Sequence, residues 1–88
     1  MKVSFTKDFQ KSLTKINNKK LAMQVLSIIA EVENAKSIID INSIKKLKGH
    51  RTAFRIRTGL YRIGLFIEND EVLFTIIDHR KDIYKKFP

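Results

Sequence analysis

Residues 54–84 carry the sequence feature that most limits how this 88-residue chain can fold. Apolar and polar residues alternate there in three runs, and two short segments of turn-forming residues separate the runs. Alternation with a period of two is typical of strands that bury one face. The stretch is therefore predicted to form three consecutive antiparallel strands joined by two tight turns.

The first turn is predicted at Gly59-Leu60, because glycine at the first central position is the signature of a two-residue type II′ turn. This register places Arg57 opposite Arg62 and puts Arg55 on the same face of the sheet. A turn centred on Thr58-Gly59 would pair Arg55 with Arg62 instead and leave the two faces unchanged.

The second turn is predicted at Asn69-Asp70, and extending its ladder sets the register at the far end of the sheet. The predicted pairs there are Ile63 with Ile76, Arg62 with Ile77, and Tyr61 with Asp78. In this register His79 and Arg80 leave the sheet beside the paired arginines. Tyr84 lies four residues beyond Arg80 and reaches the same place from one helical turn.

The pair of Arg57 and Arg62 has two interpretations. Like charges directly across a strand pair repel each other, so the two side chains either extend into water or are held for an anion. The first interpretation is a solvated basic face. The second is a phosphate site, because the planar guanidinium fork matches phosphate oxygens.

The charge of the chain is one-sided, since 18 Lys and Arg against 9 Asp and Glu give a net charge of +9. Between Asp40 and Glu68 there is no acidic residue. The interval contains Lys45, Lys46, Lys48, Arg51, Arg55, Arg57 and Arg62. This pattern indicates a nucleic-acid binder, with an acidic protein partner as a competing and compatible explanation. The residues predicted to bind RNA are Lys46, Lys48, Arg51 and Arg55.

Two helices are predicted in the N-terminal half, after a short strand over residues 2–6. Apolar residues at helical spacing indicate the first helix, and Asn17-Asn18 interrupt that pattern and cap a longer helix over residues 19–34. Lysines recur every four residues along the first helix, at Lys7, Lys11 and Lys15. They are expected to face solvent, with contact to an RNA backbone as the alternative.

The predicted fold class is α+β, with the order strand, two helices, three strands and a short C-terminal helix. The N-terminal strand and the helical hairpin pack on one face of a small, mainly antiparallel four-stranded sheet. The other face carries the arginines and some apolar residues, which the C-terminal segment or a partner chain has to cover. A chain of this length has room for one domain, over residues 1–88.

Composition excludes several function classes. The chain has no cysteine, so neither a disulfide framework nor thiol chemistry is expected. No apolar run reaches the length of a membrane span, and the alternating, charged start does not resemble a signal peptide. A cytoplasmic protein with no membrane association is expected. Asp78, His79 and Asp82 lack a second cluster of ligands, so neither a metal nor another cofactor is predicted.

Three segments in order resemble motifs of the RelE/ParE superfamily of toxin–antitoxin toxins. They are Leu47-Lys-Gly49, Phe54-Arg-Ile-Arg-Thr-Gly-Leu-Tyr-Arg62 and Asp78-His-Arg-Lys-Asp-Ile-Tyr84, which are similar to the family's LKG, YRIRxGxYR and HRxxVY stretches. The resemblance covers about half of the chain. It implies a sheet flanked by a helical hairpin, and a cognate antitoxin that binds the toxin in a hetero-oligomer.

In the RelE branch, the resemblance implies a ribosome-dependent, metal-independent endonuclease. Its partners are mRNA and the ribosome with its 16S rRNA, and cleavage of mRNA in the ribosomal A site inhibits translation. Carried over by position, the site residues are Arg55, Arg57, Arg62, His79 or Arg80, and Tyr84. Of these, Arg62 matches the arginine associated with the scissile phosphate.

Metal-free RNA cleavage needs a base for the 2′-OH, a group that stabilises charge on the phosphorane, and an acid for the 5′-oxygen. Arg57 and Arg62 fit the charge-stabilising role, and Arg80 is a further phosphate ligand. His79 is the one convergent side chain of a type that titrates near neutrality, so it is the candidate acid or base. Tyr84 is expected to stack on a base or to orient the substrate.

The chain departs from some RelE-like toxins, which have lysines where it has Arg55 and Arg57. Arginine stays protonated in proteins and is therefore a poor general base. The departure therefore concerns the efficiency or the mechanism of cleavage. Two other functions are alternatives. One is a ParE-like toxin that inhibits DNA gyrase and cleaves nothing, and the other is a non-catalytic basic RNA-binding domain.

Overall fold

A computed structural model describes all residues from Met1 to Pro88. Its elements are β1 (Lys2–Phe5), α1 (Lys7–Lys15), α2 (Lys19–Asn34), a 3₁₀ turn (Ile38–Asp40), β2 (Ile44–Lys46), β3 (Ala53–Thr58), β4 (Tyr61–Glu68), β5 (Glu71–His79) and α3 (Ile83–Lys86). The strands form one sheet in the order β1-β5-β4-β3-β2, with β1 parallel to β5 and the other neighbours antiparallel. No helix has the length and apolar character needed to cross a membrane.

The predicted α+β class is confirmed, but the sheet has five strands where four were predicted. The additional strand is β2, which pairs with β3 at the edge and places Lys45 beside Arg55. It has three residues, two of them lysines. A segment so short and basic shows no alternation, so the sequence indicates only a connector there.

Both long helices begin at side-chain caps. The Phe9 N–H donates to Thr6 Oγ1 at 3.0 Å at the start of α1. At the start of α2, the Leu21 N–H donates to Asn18 Oδ1 at 3.1 Å, which confirms the predicted cap. Both helices pack on the same face of the sheet and contribute to one core.

The main core lies between the two long helices and one face of the sheet. Phe9 of α1 and Phe74 of β5 are almost fully buried, and their ring centroids are 5.5 Å apart. The other strand residues buried in this core include Ile56, Ile63, Leu65, Ile67, Val72 and Ile77. Burying an apolar side chain of this size contributes about 1.5–3 kcal/mol relative to leaving it exposed.

The first hairpin has the predicted register. Its turn is Gly59-Leu60, and Arg57 lies opposite Arg62. Gly59 has a φ of +60°, a conformation that glycine adopts without the steric cost of a Cβ. The two-residue loop keeps the alternation even, so Arg55, Arg57 and Arg62 share the face opposite the main core.

The second hairpin also turns at Asn69-Asp70, whose φ values of +52° and +65° are typical of a type I′ turn. Beyond Leu65, however, the predicted register is wrong by one residue. The ladder shifts between Gly64 and Leu65 and leaves Thr75 as an additional residue in β5. The observed pairs are Ile63 with Ile77, Arg62 with Asp78, and Tyr61 with His79.

The bulge at Thr75 is held from outside the hairpin. The Thr6 hydroxyl, between β1 and α1, donates to the Thr75 carbonyl at 2.7 Å. The Thr75 hydroxyl in turn donates to the carbonyl of Leu73 at 3.2 Å. Because the main contact comes from a residue that is distant in sequence, the local alternation contains no sign of the bulge.

The C-terminal segment covers the apolar part of the arginine-bearing face. Ile83 and Phe87 are almost fully buried and form a second, smaller core with Ala53. Phe66 packs against Phe87 with ring centroids 5.0 Å apart. The sequence left either the C-terminal segment or a partner chain to cover this face. The C-terminal segment of the chain itself covers its apolar part.

Candidate functional site

Four arginines gather on the face of the sheet that α3 partly covers, and we refer to them as the arginine cluster. Its members are Arg55 and Arg57 of β3, Arg62 of β4, and Arg80, which follows β5. The pKa of the Arg62 guanidinium lies below its ordinary value, first because the group is partly buried and then because the other three arginines repel its charge. Tyr84 of α3 acts on the same pKa in the opposite direction, so it also lies nearby.

Arg62 is oriented by the turn that sets the register of the first hairpin. Its Nη1 donates to the carbonyl of Gly59 at 3.0 Å and to the carbonyl of Tyr61 at 2.9 Å. The Nε and Nη2 edge of the guanidinium makes no hydrogen bond within the chain. This edge presents two parallel N–H donors, which is the arrangement that binds a phosphate in a bidentate way.

None of the arginines in the cluster is in an ion pair. The ion pairs of the structure are Arg51–Glu68, Lys85–Asp82 and Lys86–Asp78. Arg55 instead donates to the carbonyl of Ser43 at 3.3 Å. Charges of one sign that are held together without a counter-charge attract anions to the site.

Asp78 is the carboxylate next to the arginine cluster, and its predicted position opposite Tyr61 is wrong. It lies across the ladder from Arg62 because of the bulge at Thr75. Its Oδ2 accepts from Lys86 Nζ at 2.7 Å, and its Oδ1 accepts from the N–H of His79 at 2.8 Å. The carboxylate is therefore neutralised by α3 and not by an arginine.

The pKa values of this pair follow from the contact. Partial burial pushes the pKa of Asp78 upward, but the hydrogen bonds from Lys86 and the His79 N–H outweigh it and leave the pKa below its ordinary value. The hydrogen bond to Asp78 raises the pKa of Lys86. Both groups therefore keep their charge over a wider pH range than isolated side chains would.

Arg80 and Tyr84 lie where the sequence places them, beside the paired arginines. The Arg80 N–H donates to the carbonyl of Leu60 at 2.8 Å, which ties the end of β5 to the first turn. Tyr84 is 55% exposed, so its ring is accessible from solvent beside Arg62.

His79 does not join the arginine cluster, and the predicted position beside Arg57 and Arg62 is wrong. The additional residue in β5 pairs His79 with Tyr61, whose ring meets the imidazole edge to face at a centroid distance of 5.7 Å. The Lys81 N–H donates to His79 Nδ1 at 3.2 Å. The imidazole thus supports the turn that follows β5, and its role in chemistry stays a prediction.

The remaining predicted RNA-binding residues lie in the loop between β2 and β3 or next to it. Lys46, Lys48 and Arg51 line a shallow depression there, and we call them the basic loop. The loop is at the opposite end of β3 from Arg57, so the structure separates it from the arginine cluster. Arg51 forms an exposed ion pair with Glu68 at 3.6 Å.

No group of three or more His, Asp or Glu side chains is arranged to hold a metal ion. Lys86 is a further residue that sequence reasoning missed, because four residues of helix near the end of the chain carry too weak a pattern to orient its side chain. No sequence signal reveals the position of Asp78 either, because the local alternation contains no sign of the bulge at Thr75.

No protein-family model matches the chain. One curated protein and several solved structures match it along nearly its whole length. The chain is 40% identical over 89 residues to toxin RelE3 of Methanocaldococcus jannaschii, and the match covers 100% of both proteins. Its structure is similar to the crystal structure of a RelB–RelE antitoxin–toxin complex from Methanococcus jannaschii, with a TM-score of 0.79, 38% identity, and 96% of this chain and 98% of that chain covered.

A more distant structure shows the same fold. The RelE–RelB complex of Pyrococcus horikoshii OT3 matches with a TM-score of 0.74 at 19% identity, covering 93% of this chain and 97% of that chain. At this level of identity the likeness concerns the fold, whereas the match to RelE3 extends to the sequence of the whole chain.

Proposed function

The chain belongs to the RelE family of type II toxin–antitoxin toxins, and we propose that residues 1–88 form one toxin domain that cleaves mRNA in the ribosomal A site without a metal ion. Its cytoplasmic effect is an arrest of translation. The observation that carries the proposal is the arginine cluster, in which no carboxylate is paired with any of the four charges. An RNA phosphate bound there supplies the missing counter-charge.

In the proposed reaction, the ribose 2′-oxygen attacks the adjacent phosphorus and the bond to the 5′-oxygen breaks. Negative charge accumulates on the phosphoryl oxygens in the transition state, so donors fixed around them lower the barrier. The unoccupied edge of Arg62 and the exposed guanidinium of Arg57 are proposed to bind these oxygens. Arg80, tied to the first turn, adds a third charge on the same side.

Proton transfer requires groups other than the arginines, which stay protonated. His79 is the predicted acid or base, but its ring packs against Tyr61 on the other face of the sheet. We therefore assign His79 to positioning the turn that carries Arg80, and propose that water takes the proton of the 2′-hydroxyl and delivers a proton to the leaving 5′-oxygen. Alignment of the substrate by the ribosome supplies part of the rate, and Tyr84 is proposed to stack on a base beside the scissile phosphate.

The basic loop, Lys46, Lys48 and Arg51, is proposed to contact RNA away from the reacting phosphate. Its distance from the arginine cluster along β3 suits a contact to 16S rRNA or to a remote part of the mRNA. Lysines and arginines on an exposed loop bind the phosphate backbone without selecting sequence. Arg55, half-buried between the loop and Arg57, is proposed to bind the mRNA backbone.

A cognate antitoxin is the proposed protein partner, in a hetero-oligomer with the toxin. Related RelE proteins form complexes with RelB. Met23 and Leu26 on the outer side of α2 are 68% and 59% exposed and offer apolar surface for such a partner. The net charge of +9 favours a partner segment that is acidic.

Expression of the chain in bacteria, with mapping of mRNA 5′ ends, tests the proposed activity. Cuts within translated codons that disappear when translation is blocked are the expected result. Growth arrest with intact mRNA and with DNA damage would instead indicate a ParE-like inhibitor of DNA gyrase. Neither arrest nor cleavage would indicate a non-catalytic RNA-binding domain.

A further inference from the structure

The lysines of α1 have no part in the site described so far. Lys7, Lys11 and Lys15, which we call the lysine row, are exposed, and none is in an ion pair. Successive members are four residues apart, about 6 Å along the helix axis. Positive charges repeated at this distance match the regularly spaced phosphates of an extended nucleic-acid strand.

A groove of about 720 Å³ lies beside the lysine row, between α1, the end of β5 and α3. Lys11 and Lys15 line it from α1, and Lys86 lines it from α3. Tyr61 and the loop residue Asn17 also line it and offer an aromatic ring and an amide. A groove of this size and lining accommodates part of a nucleotide as well as its phosphate.

Two carboxylates line the groove, but they do not cancel its positive charge. Asp78 is already bound to Lys86 at 2.7 Å. Asp8 lies in the first turn of α1, where a carboxylate interacts favourably with the helix dipole. Lys11 and Lys15 therefore remain without a carboxylate partner.

The groove is continuous with the arginine cluster at Asp78. This residue lines the groove and lies directly across the ladder from Arg62. An RNA strand with one phosphate at Arg62 consequently has a path past Lys86 and along α1. The proposed function gives the strand a surface on the side of Arg55 and the basic loop, and this path provides one on the side of α1.

We propose that the groove and the lysine row form a further RNA-binding surface, which holds the sugar–phosphate backbone of the strand that continues from the arginine cluster. It rests on the proposed function in taking RNA as the ligand. The lysines contact phosphates as point charges, so binding here does not depend on base sequence. RNA is favoured over an acidic polypeptide because the surface is continuous with guanidinium groups suited to phosphate.

The experiment compares wild type with the double variant Lys11→Gln/Lys15→Gln. The probes are fluorescent 2′-O-methyl RNA oligonucleotides, a trinucleotide and a dodecanucleotide, which cannot be cleaved through the 2′-oxygen. The affinity of each is titrated against salt concentration. For the dodecanucleotide, removing two phosphate contacts should reduce the slope of log K against log salt by about 1.4, since each contact to a single strand contributes about 0.7. The trinucleotide should bind both proteins with the same slope.

The matched control is Lys2→Gln/Lys36→Gln, which removes the same charge from exposed positions outside the groove and the arginine cluster. It should leave the slope for the dodecanucleotide unchanged. Lys11→Arg/Lys15→Arg keeps the charges and should retain the wild-type slope. The proposal would be overturned if the Lys2 and Lys36 variant showed an equal reduction in the slope for the dodecanucleotide. It would also be overturned if the Lys11 and Lys15 variant showed no reduction.

Poly-glutamate provides the competing ligand. If the Lys11 and Lys15 variant loses affinity for poly-glutamate but not for RNA, the surface binds acidic protein and the proposal is wrong. The result is independent of the proposed cleavage, because the probes cannot be cut. A further outcome is that the wild-type protein leaves cellular mRNA intact while the slope still differs between wild type and the Lys11 and Lys15 variant. That result would contradict the nuclease function and support the groove as an RNA-binding surface.

Discussion

Phe87 occupies the space above Gly64 in which any other residue would place its side chain. A Cβ added to Gly64 would lie 2.6 Å from two ring carbons of Phe87, closer than real contacts of this kind. Gly64 is in the middle of β4, and Phe87 follows α3. The missing side chain is therefore what allows the C-terminal segment to lie flat on the arginine-bearing face.

Gly64→Ala should destabilise the protein by about 1–3 kcal/mol, because the added methyl group meets a buried aromatic ring and not the end of a flexible side chain. Urea unfolding followed by circular dichroism measures the change. In a Phe87→Ala background, the same substitution should be neutral or stabilising by about 0.5–1 kcal/mol, since alanine is favoured over glycine inside a strand. An equal cost in both backgrounds would show that Phe87 does not set the requirement for glycine.

Asp78→Asn should remove part of the loss in the free energy of unfolding that wild type shows as the pH falls. The pKa of Asp78 is lowered in the folded protein, so its contribution is present above the ordinary value of 3.8 and is lost as the pH falls through the folded value. Wild type and variant should therefore differ most near neutral pH and converge in acid. Urea unfolding of both proteins at several pH values, from neutral pH to strong acid, measures the difference in their free energies of unfolding.

Lys86→Gln tests the same ion pair from the other side. The pKa of Lys86 is raised, so its contribution is present below the ordinary value of 10.5 and is lost as the pH rises through the folded value. The variant should thus differ from wild type at neutral pH and converge with it in strong base. Lys85→Gln is the matched control, because Lys85 is separated from Asp82 by 3.9 Å in an exposed pair of little energy.

The first hairpin could be predicted from the sequence because its determinants are local. Gly59 selects the turn, and the turn fixes Arg57 opposite Arg62 without help from the rest of the chain. The confirmed cap at Asn18 is local in the same sense, because Asn18 Oδ1 accepts a hydrogen bond from the N–H of Leu21, only three residues away. Such features can be inferred from neighbouring residues alone.

The second half of the site could not be predicted in this way. Thr6 donates to the Thr75 carbonyl across 69 positions, and this tertiary contact lies at the residue where the register of β5 shifts. As a result Asp78 takes the place beside Arg62, and His79 turns to the opposite face. Alternation is a local pattern, so it cannot indicate a bulge that depends on a distant hydroxyl.

Arg62→Ala should reduce mRNA cleavage about 10²–10³-fold, the usual effect of removing one donor that stabilises transition-state charge. Arg62→Lys should restore only part of the activity, because lysine keeps the charge and lacks the two parallel N–H groups. Primer extension on ribosome-bound mRNA measures the rate. Lys36→Ala is the control, since Lys36 is exposed, lies outside the proposed RNA-binding surfaces and should retain most of the activity when its charge is removed.

His79→Asn should retain most of the cleavage activity, whereas His79→Phe should lose much of it. The asparagine side-chain oxygen can accept the Lys81 N–H that His79 Nδ1 accepts, and phenylalanine cannot. If His79 acts by positioning the turn that carries Arg80, the pH profile of cleavage by His79→Asn should match that of wild type. Loss of a titration step near neutrality in this variant would instead assign the proton transfer to His79. Thermal unfolding of both variants separates a loss of the turn from a loss of the fold.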